Sequence, residues 1–421
     1  MAVASEVPLA ARTAVAALAV SSVGAASRAA AALSGAGPID PDPLRVAVAY
    51  TSERWFRIRG VRPAAFAPLS GFFPTRDGWV RTHGNYPHHA AALRAALRLD
   101  EVAGRDEVAA ALGRWDAGAA AAAVTARGGL CVVVAEEVPS VDSRLRAKPV
   151  VEVTRLGPAP PRPLPPGSAA APLRGIRVLD LTRVIAGPVA TRTLALLGAD
   201  VLRIDPPQLP EIAWQHLDTG HGKRSALLDL TVPRGRRRLA ELLADADIVV
   251  LGYRPASLDR FGLRPGQIAA AHPGVIVVRH SAWGGAHGRG FDSLVQAASG
   301  LAWIESADGT VPGALPAQAL DHSAGYLLAA HAMTLLSRRA EEGGSWLVET
   351  SLRRIAAELL GAPRRTEPLA TAPLDPTGHV QDFDVDGVDV MTTAPALAYH
   401  GAPTRFARPR PWGRDRPEWR I

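Results

Sequence analysis

Short apolar runs alternate with helical segments through the second half of the chain. The predicted strands are residues 176–181, 200–204, 226–230, 248–251, 275–279 and 346–350. The predicted helices between them are residues 187–197, 233–243, 264–271 and 291–300. Strands that are apolar along their whole length must be covered on both faces, so the pattern predicts a parallel sheet between two layers of helices. Ligands of such sheets bind beyond the carboxyl ends of the strands, here the loops at 182–188, 205–222, 252–257 and 281–290.

A longer apolar run at residues 326–336 predicts a buried helix, and Asp321 and Ser323 stand where its cap or first turn would be. For an isolated Asp at this position, helix capping is the ordinary interpretation. The alternative is a nucleophilic carboxylate at the edge of a pocket, held ionised by free backbone N–H groups and the positive helix end. Gly325 would then allow a ligand to approach the backbone closely. Position alone leaves both interpretations open.

The first half of the chain carries mixed signals. Residues 1–35 are rich in Ala and are predicted to form a helix packed on the body, since the basic start that a signal peptide needs is poor. A hairpin is predicted at 72–81. The other predicted strands are 46–50, 55–58 and 130–135, and the other predicted helices are 88–97, 106–115 and 117–127.

A Pro-rich stretch at 157–172 cannot bury a core and predicts a linker. The predicted organisation is a smaller α/β domain with the N-terminal helix at 1–156, this linker, a main α/β domain at 173–360, and an extended segment at 361–421. Within that last segment, the acidic run 382–389 resembles a calcium loop, but a hairpin turning at Asp386–Gly387 fits its flanks better. The predicted fold class is α/β, with a doubly wound, mostly parallel, Rossmann-like sheet and a second, smaller domain.

Composition favours a soluble, globular protein of two or three domains. The chain has 421 residues, is 48% hydrophobic, and shows no unbroken apolar run of membrane length. Its single cysteine, Cys131, lies in an apolar stretch, so we expect a core residue and a reducing, cytoplasmic location.

The net charge of +7 could indicate nucleic-acid binding. The arginines are spread along the chain, however, and the dense group at 234–238 is better interpreted as the solvated face of a helix. We therefore expect no nucleic-acid or membrane partner. The positive field suits an anionic ligand such as a phosphorylated cofactor.

Two further motifs, a group of histidines and a Gly-rich loop, are candidates for binding roles. His83, His88 and His89 have no carboxylate or cysteine at metal-ligand spacing, so we expect no metal site. The loop 283–290 is rich in Gly but matches neither a dinucleotide fingerprint nor a P-loop. A mobile surface loop and a loop that closes over a ligand are equally good interpretations.

Six ordered segments resemble family III CoA-transferases, which include formyl-CoA transferase and carnitine CoA-transferase, with α-methylacyl-CoA racemase as a relative. The segments are residues 173–188, 197–205, 223–230, 253–262, 291–300 and 321–325. The resemblance implies that 173–360 is a nucleophile domain, that coenzyme A is bound as an acyl-CoA substrate without a metal, and that Asp321 is the catalytic nucleophile. It implies transfer of CoA to a small carboxylic acid through an aspartyl anhydride and an aspartyl thioester. It also implies a homodimer, in which the subunits can be interlocked.

The resemblance further assigns residues to the CoA site. Arg260 would meet a phosphate of CoA, although a surface ion pair with Asp259 explains it equally well. Arg289 and Phe291 would lie beside the pantetheine. The residues that would line the rest of the site are Val184, Ile185, Gly252, Tyr253 and Arg254.

Departures from the family keep other functions open. The racemases carry a His where this chain has Phe291, which argues against racemisation, and His322 is a poor substitute because it should point elsewhere. Pro206 and Thr231 replace basic residues of some relatives. Residues 46–155 resemble the later part of a family member, placed here before the opening part. The alternatives are an acyl-CoA-binding protein without turnover, a racemase-like enzyme and, with little weight, a nucleic-acid binder.

Overall fold

Helices and strands alternate along the chain in a computed structural model that describes residues 7–285 and 288–420. Up to residue 157 the elements are α1 Val15–Ser34, α2 Pro43–Tyr50, α3 Ser52–Trp55, β1 Arg57–Ile58, β2 Gly71–Pro74, β3 Trp79–Thr82, α4 Pro87–Ala96, α5 Arg105–Leu112, α6 Ala117–Ala126, β4 Cys131–Val133, α7 Pro139–Arg146 and β5 Glu152–Gly157. From there on they are β6 Arg177–Leu181, α8 Ala186–Leu196, β7 Asp200–Asp205, α9 Ala213–Thr219, β8 Arg224–Leu227, α10 Pro233–Ala244, β9 Ile248–Leu251, α11 Pro255–Asp259, α12 Pro265–Ala271, β10 Ile276–Ser281, α13 Asp292–Ala298, α14 Leu301–Ile304, α15 Ala319–Glu342, β11 Ser345–Ser351, α16 Leu352–Gly361, β12 Val380–Val385 and β13 Val388–Thr393.

The main sheet of the described residues has seven strands in the order β5-β11-β10-β9-β6-β7-β8. All neighbours are parallel except the edge strand β5, which runs antiparallel to β11. Alternate side chains of the strands enter two different cores. Val178 packs with helices α8 and α15 on one face, while its neighbour Leu179 packs with α10 and α12 on the other. The predicted doubly wound α/β fold is confirmed.

A smaller α/β unit forms from the first half of the chain. Strands β2, β3 and β4 make an antiparallel sheet, covered by α4, α5 and α6. Its core contains Phe73, Val80 and Cys131, so the predictions of a hairpin at 72–81 and of a buried cysteine are confirmed. Burial raises the pKa of the Cys131 thiol to about 12, which leaves it unreactive at neutral pH.

The N-terminal helix α1 packs against the buried helix α15. Val15, Ala19 and Val23 on its inner face are fully buried, which confirms the prediction of a helix packed on the body. Among the described residues, α1 is also the one helix whose length and apolar composition would allow it to cross a membrane. Half of its most apolar 18-residue stretch is buried within the protein.

Some elements differ from the predictions. Residues 46–50, predicted as a strand, belong to helix α2, which Asp42 caps by accepting the backbone N–H of Arg45 at 2.7 Å. Every residue from Val46 to Tyr50 is buried. A helix that is buried all round shows no period in its sequence, so a short apolar run of this kind resembles a buried strand. The strand predicted at 226–230 lies earlier, at Arg224–Leu227, and the short helices α7, α9 and α16 were not predicted.

Several segments pack across the predicted domain boundaries. Strand β5, from the end of the first predicted domain and the start of the linker, belongs to the main sheet. Strand β1 pairs with β13 of the C-terminal hairpin, whose predicted turn at Asp386–Gly387 is confirmed. The C-terminal segment is docked as well, because Trp412 Nε1 donates to Asp205 Oδ2 at 3.1 Å. The domain limits themselves stay a prediction.

Gly325 lies where helix α15 packs closely against α8. A Cβ atom on Gly325 would lie 2.7 Å from the carbonyl oxygen of Ala186 and 2.7 Å from Val189 Cβ. The sequence interpretation, in which Gly325 allows a ligand near the backbone, is therefore wrong: the close neighbour is another helix. This contact holds the first turns of α15 against α8.

We predict that Gly325→Ala destabilises the protein even though Ala is the better helix former. The added methyl group must push α8 and α15 apart, and overpacking of this kind costs about 1–3 kcal/mol. Gly118→Ala in α6 is the matched control, because its Cβ would meet nothing within 4 Å; it should gain about 0.5–1 kcal/mol. Urea unfolding of both variants measures the difference, and equal stabilisation by the two changes would contradict the packing argument.

Candidate functional site

A cavity of about 660 Å³ opens at the carboxyl ends of the parallel strands. Leu181 ends β6, Ile204 lies at the end of β7, and Ser281 ends β10; all three line the cavity. This is the edge of the sheet where the strand pattern predicts a ligand, because the loops that follow parallel strands converge there.

Asp321 lies in the wall of this cavity, in the first turn of α15. Its side chain is buried, with the residue only 6% exposed. Its backbone N–H donates to Oδ2 of Asp292 at 2.9 Å, so the first turn of α13 holds the first turn of α15 in place. Asp292 is itself fully buried and also accepts a hydrogen bond from the side-chain amide of Gln296.

The two carboxyl groups influence each other's ionisation. Burial raises the pKa of Asp321 well above its ordinary value, and the nearby Asp292 raises it further. The pKa of Asp292 is also raised by burial, to about 6, although the N–H of Asp321 and the amide of Gln296 favour its charged form. Burial and their mutual repulsion therefore disfavour the ionisation of both carboxyl groups at once. Burial therefore opposes the expected effect of the helix end, which would keep Asp321 ionised.

The structure brings together nearly all of the residues assigned from the sequence. The predicted residues that line the cavity with Asp321 are Val184, Gly252, Tyr253, Arg254, Arg260, Arg289 and Phe291. Ile185 is outside the cavity lining of the described chain. It immediately precedes α8, and its side chain packs against the main core instead. Arg260 lies over the ring of Phe261 at 4.6 Å, and the ion pair of Asp259 is made with Arg264 at 3.0 Å instead.

Two backbone positions shape the cavity floor. Val184 has φ +73°, a conformation that a β-branched residue adopts only when its surroundings impose it. Its N–H donates to Oε2 of Glu211 at 3.2 Å, which helps to hold that turn. At Gly252 a Cβ would lie 2.5 Å from Nε2 of His280, so only glycine fits between the strand end and this imidazole.

A segment of the smaller unit also lines the cavity, and sequence reasoning missed it. Tyr86, His88 and His89 are among the lining residues. Tyr86 Oη donates to Glu211 Oε1 at 2.6 Å, and the guanidinium of Arg183 lies 5.1 Å from the centre of the Tyr86 ring. No periodic or motif signal marks Tyr86 or Glu211, since their contact joins segments far apart in the chain.

Glu211 is the centre of a buried charge network beneath the cavity. It accepts from Arg203 Nη2 at 2.9 Å and pairs with Arg183 at 3.3 Å. Burial opposes its ionisation, but the two arginines outweigh burial and lower the pKa of Glu211 to about 2. Asp205 completes the network through Arg203 at 2.7 Å and the hydroxyl of Tyr253 at 3.2 Å. Arg203 Nη1 is left without a partner among the described residues, but the remaining ion pairs and hydrogen bonds give the cavity a rigid floor.

The outcome for the other candidate motifs is mixed. No group of three potential metal ligands is present among residues 7–285 and 288–420; His88 and His89 line the cavity instead. His322 stacks on Tyr50 with ring centres 5.1 Å apart, away from the cavity, as expected.

In the loop 283–290, Trp283 Nε1 donates to the carbonyl of Arg289 at 2.9 Å, and Arg289 Nη1 donates to the carbonyl of Gly128 at 2.8 Å. Residues 286 and 287 of that loop lie outside the described residues, and its role as a lid stays a prediction.

Curated proteins are similar in sequence to part of this chain. A protein from Mycobacterium tuberculosis, described as probable fatty acyl-CoA transferase Rv3272, is 30% identical over 213 residues, which is 47% of this chain and 54% of the relative. Formyl-CoA:oxalate CoA-transferase from a Bradyrhizobium species is 30% identical over 196 residues, 43% of this chain and 46% of the relative. The chain thus spans about half the length of these curated relatives.

A solved structure and a family model also match parts of this chain. The crystal structure of Rv3272 from Mycobacterium tuberculosis aligns with a TM-score of 0.42 and 31% identity, over 45% of this chain and 56% of that one. The family model for CoA-transferase family III matches residues 173–411, more than half of the chain. That match contains the main sheet from β6 to β11, Asp321, and all of the cavity lining except Tyr86, His88 and His89. The chain belongs to CoA-transferase family III.

Proposed function

We propose that the protein transfers CoA from an acyl-CoA thioester to a carboxylic acid through covalent intermediates on Asp321. The observation that carries the proposal is the position of the Asp321 carboxyl group, in the wall of a cavity at the strand ends and at the start of a buried helix. In its ionised form, a carboxylate at this position can attack an acyl carbonyl and form an acyl intermediate without a cofactor.

The chemistry divides one exchange into four displacements. A carboxylate oxygen of Asp321 attacks the thioester carbonyl, the C–S bond breaks, and CoA leaves as a thiolate from a mixed anhydride. The thiolate then attacks the aspartyl carbonyl, which releases the donor acid and leaves an aspartyl thioester. The acceptor carboxylate attacks that thioester to give a second anhydride and free thiolate. Attack of the thiolate on the acceptor carbonyl forms the new thioester and restores Asp321, with no net proton gained or lost.

The surroundings of Asp321 suit these steps. Burial of the side chain protects an anhydride from water. The N-terminal end of α15 favours the negative charge that develops when the carboxylate attacks. Arg254, Arg260 and Arg289 line the cavity and provide positive charge for the phosphates of CoA.

The names of the relatives support the substrate class. The Mycobacterium tuberculosis protein is described as a probable fatty acyl-CoA transferase, and the Bradyrhizobium protein as a formyl-CoA:oxalate CoA-transferase. Both descriptions name a CoA thioester, which is the donor proposed here. The acyl group and the acceptor differ between the two, so we carry over only the thioester and the carboxylic acid. A cytoplasmic location and a homodimer stay predictions.

A second candidate function is the binding of acyl-CoA without turnover. Pro206 and Thr231, which stand where some relatives have basic residues, both line the cavity. The amide N–H of Thr231 donates to Asp229 Oδ1 at 2.8 Å, so a carboxylate faces this region in place of a cation. This would weaken phosphate binding at one end of the cavity, and the two candidates differ in whether Asp321 is needed for a reaction.

We predict that Asp321→Ala abolishes CoA exchange between acyl-CoA and a free acid while leaving CoA binding in place. Exchange is followed by mass spectrometry across a panel of thioesters, and CoA binding by calorimetry. Hydroxylamine added during turnover should convert the Asp321 carboxyl group of the wild-type protein into a hydroxamate, because it attacks acyl anhydrides and thioesters.

Asp100→Asn is the matched control for this variant. Asp100 is exposed and distant from the cavity lining, so its substitution should leave exchange unchanged. CoA exchange that persists in Asp321→Ala would contradict the proposed mechanism through intermediates on Asp321. Tight CoA binding by the wild-type protein, with no exchange for any thioester, would favour the second candidate.

A further prediction concerns Asp292→Asn. The amide oxygen can still accept the N–H of Asp321, but the neighbouring negative charge is lost, so the pKa of Asp321 should fall. Because the ionised form of Asp321 is the nucleophile, the acidic limb of the pH profile of kcat/KM should move to lower pH. Asp292→Ala, which removes the acceptor as well, should lower the rate at every pH. An acidic limb that stays in place for Asp292→Asn would show that Asp292 does not control the ionisation of Asp321.

A further inference from the structure

The ring of Phe291 stands beside the proposed nucleophile. Phe291 immediately precedes Asp292, the residue that accepts the backbone N–H of Asp321, and both Phe291 and Asp321 line the cavity. An acyl group carried on Asp321 would therefore share the cavity with this ring. Phe291 is the starting point for asking which acyl group the cavity accommodates.

Three aromatic side chains of the smaller unit surround Phe291. The ring of His83 stacks on it, with centres 3.8 Å apart and planes 8° from parallel. Tyr86 lies 6.2 Å away at 26°, and His89 lies 6.2 Å away, edge-on at 72°. Tyr86, His89 and Phe291 line the cavity, whereas His83 supports Phe291 from behind. We call Phe291, Tyr86 and His89 the aromatic wall.

The aromatic wall is rigid before any ligand binds. His83, Tyr86 and His89 are each at most 7% exposed. The hydroxyl of Tyr86 is held by Glu211, and the His83 ring fills the space behind Phe291. A surface that is already ordered loses little conformational entropy when a ligand packs against it.

The aromatic wall is also uncharged at neutral pH. Burial lowers the pKa of His83 to about 3, and the neighbouring His89 and Arg81 lower it further. Burial likewise lowers the pKa of His89 to about 3, with additional effects from His88 and Arg289. Neutral imidazoles present flat π-surfaces, so this part of the cavity is better suited to a flat, uncharged group than to a second carboxylate.

We propose that the aromatic wall selects acyl groups that carry an aromatic ring, so that aromatic carboxylic acids and their CoA thioesters are the substrates. The inference rests on the proposed CoA-transferase function, because it places the acyl group on Asp321. Offset or edge-on packing of rings 4.5–7 Å apart adds favourable energy beyond the burial of area. The measured spacings within the aromatic wall fall in that range, and a ligand ring can continue the same arrangement.

The test compares substrates of nearly equal size that differ in their π-electrons. With acetate as the acceptor, kcat/KM for phenylacetyl-CoA is measured against cyclohexylacetyl-CoA as the donor. In a second arm, acetyl-CoA is the donor and phenylacetate competes with cyclohexylacetate as the acceptor. One aromatic contact should favour the phenyl member by roughly 2- to 12-fold. The two arms distinguish a ring on the donor from a ring on the acceptor.

Phe291→Leu should lower kcat/KM more for the phenyl substrates than for the cyclohexyl substrates, and so remove most of this preference. Phe66→Leu is the control, since Phe66 is a half-exposed aromatic residue outside the cavity lining and should keep the preference. Equal rates for phenyl and cyclohexyl substrates in both arms would overturn the inference. So would an equal loss for every thioester and for free CoA in Phe291→Leu, because the ring would then serve the pantetheine.

A binding measurement separates this inference from the proposed function. Affinities of the phenylacetyl and cyclohexylacetyl thioesters are measured by calorimetry with Asp321→Asn, which cannot turn over by the proposed route. A phenyl preference in binding, without exchange by the wild-type protein, would support the aromatic wall and reject the transferase. No preference in either binding or exchange would reject the aromatic wall alone.

Discussion

The hydrogen bond from the backbone N–H of Asp321 to Asp292 is the contact on which the site depends. It joins the first turns of α13 and α15 at the cavity, and it brings two buried carboxyl groups close together. Burial raises the pKa of Asp321, the closeness of Asp292 raises it further, and burial also raises the pKa of Asp292. Because burial and a neighbouring carboxyl group both disfavour the ionised form of Asp321, a positive charge close to this side chain would favour ionisation.

The site is built from two distant parts of the chain. The main sheet supplies the strand-end loops, Phe291 and Asp321, and the smaller unit supplies Tyr86 and His89. Glu211 joins the two parts by accepting from Tyr86 while paired with Arg203. An ionised carboxylate buried with two arginines is costly to rearrange, so this junction fixes how the smaller unit faces the cavity.

Sequence patterns were most reliable where structure is local. The long apolar segment after Asp321 is a helix, and the loops after the strands of the main sheet do converge on a cavity. The segment 46–50 was predicted as a strand because all five of its residues are buried, so no polar position marks the helical period. Sequence patterns did not identify Asp292 as part of the site, because an acidic residue in the first turn of a helix is ordinary. Nothing in the sequence shows that its carboxylate accepts the backbone N–H of Asp321.

The alternation of apolar strands and helices determined by itself the doubly wound sheet and the edge where the cavity opens, and six segments that resemble the family singled out Asp321 in its wall. These features depend on residues close together in the chain. The charge state of Asp321, the helix contact at Gly325 and the aromatic wall depend on atoms that only folding brings within a few ångströms of one another. Coulomb energy, desolvation and ring packing all vary steeply with such distances, so the tertiary structure alone decided them.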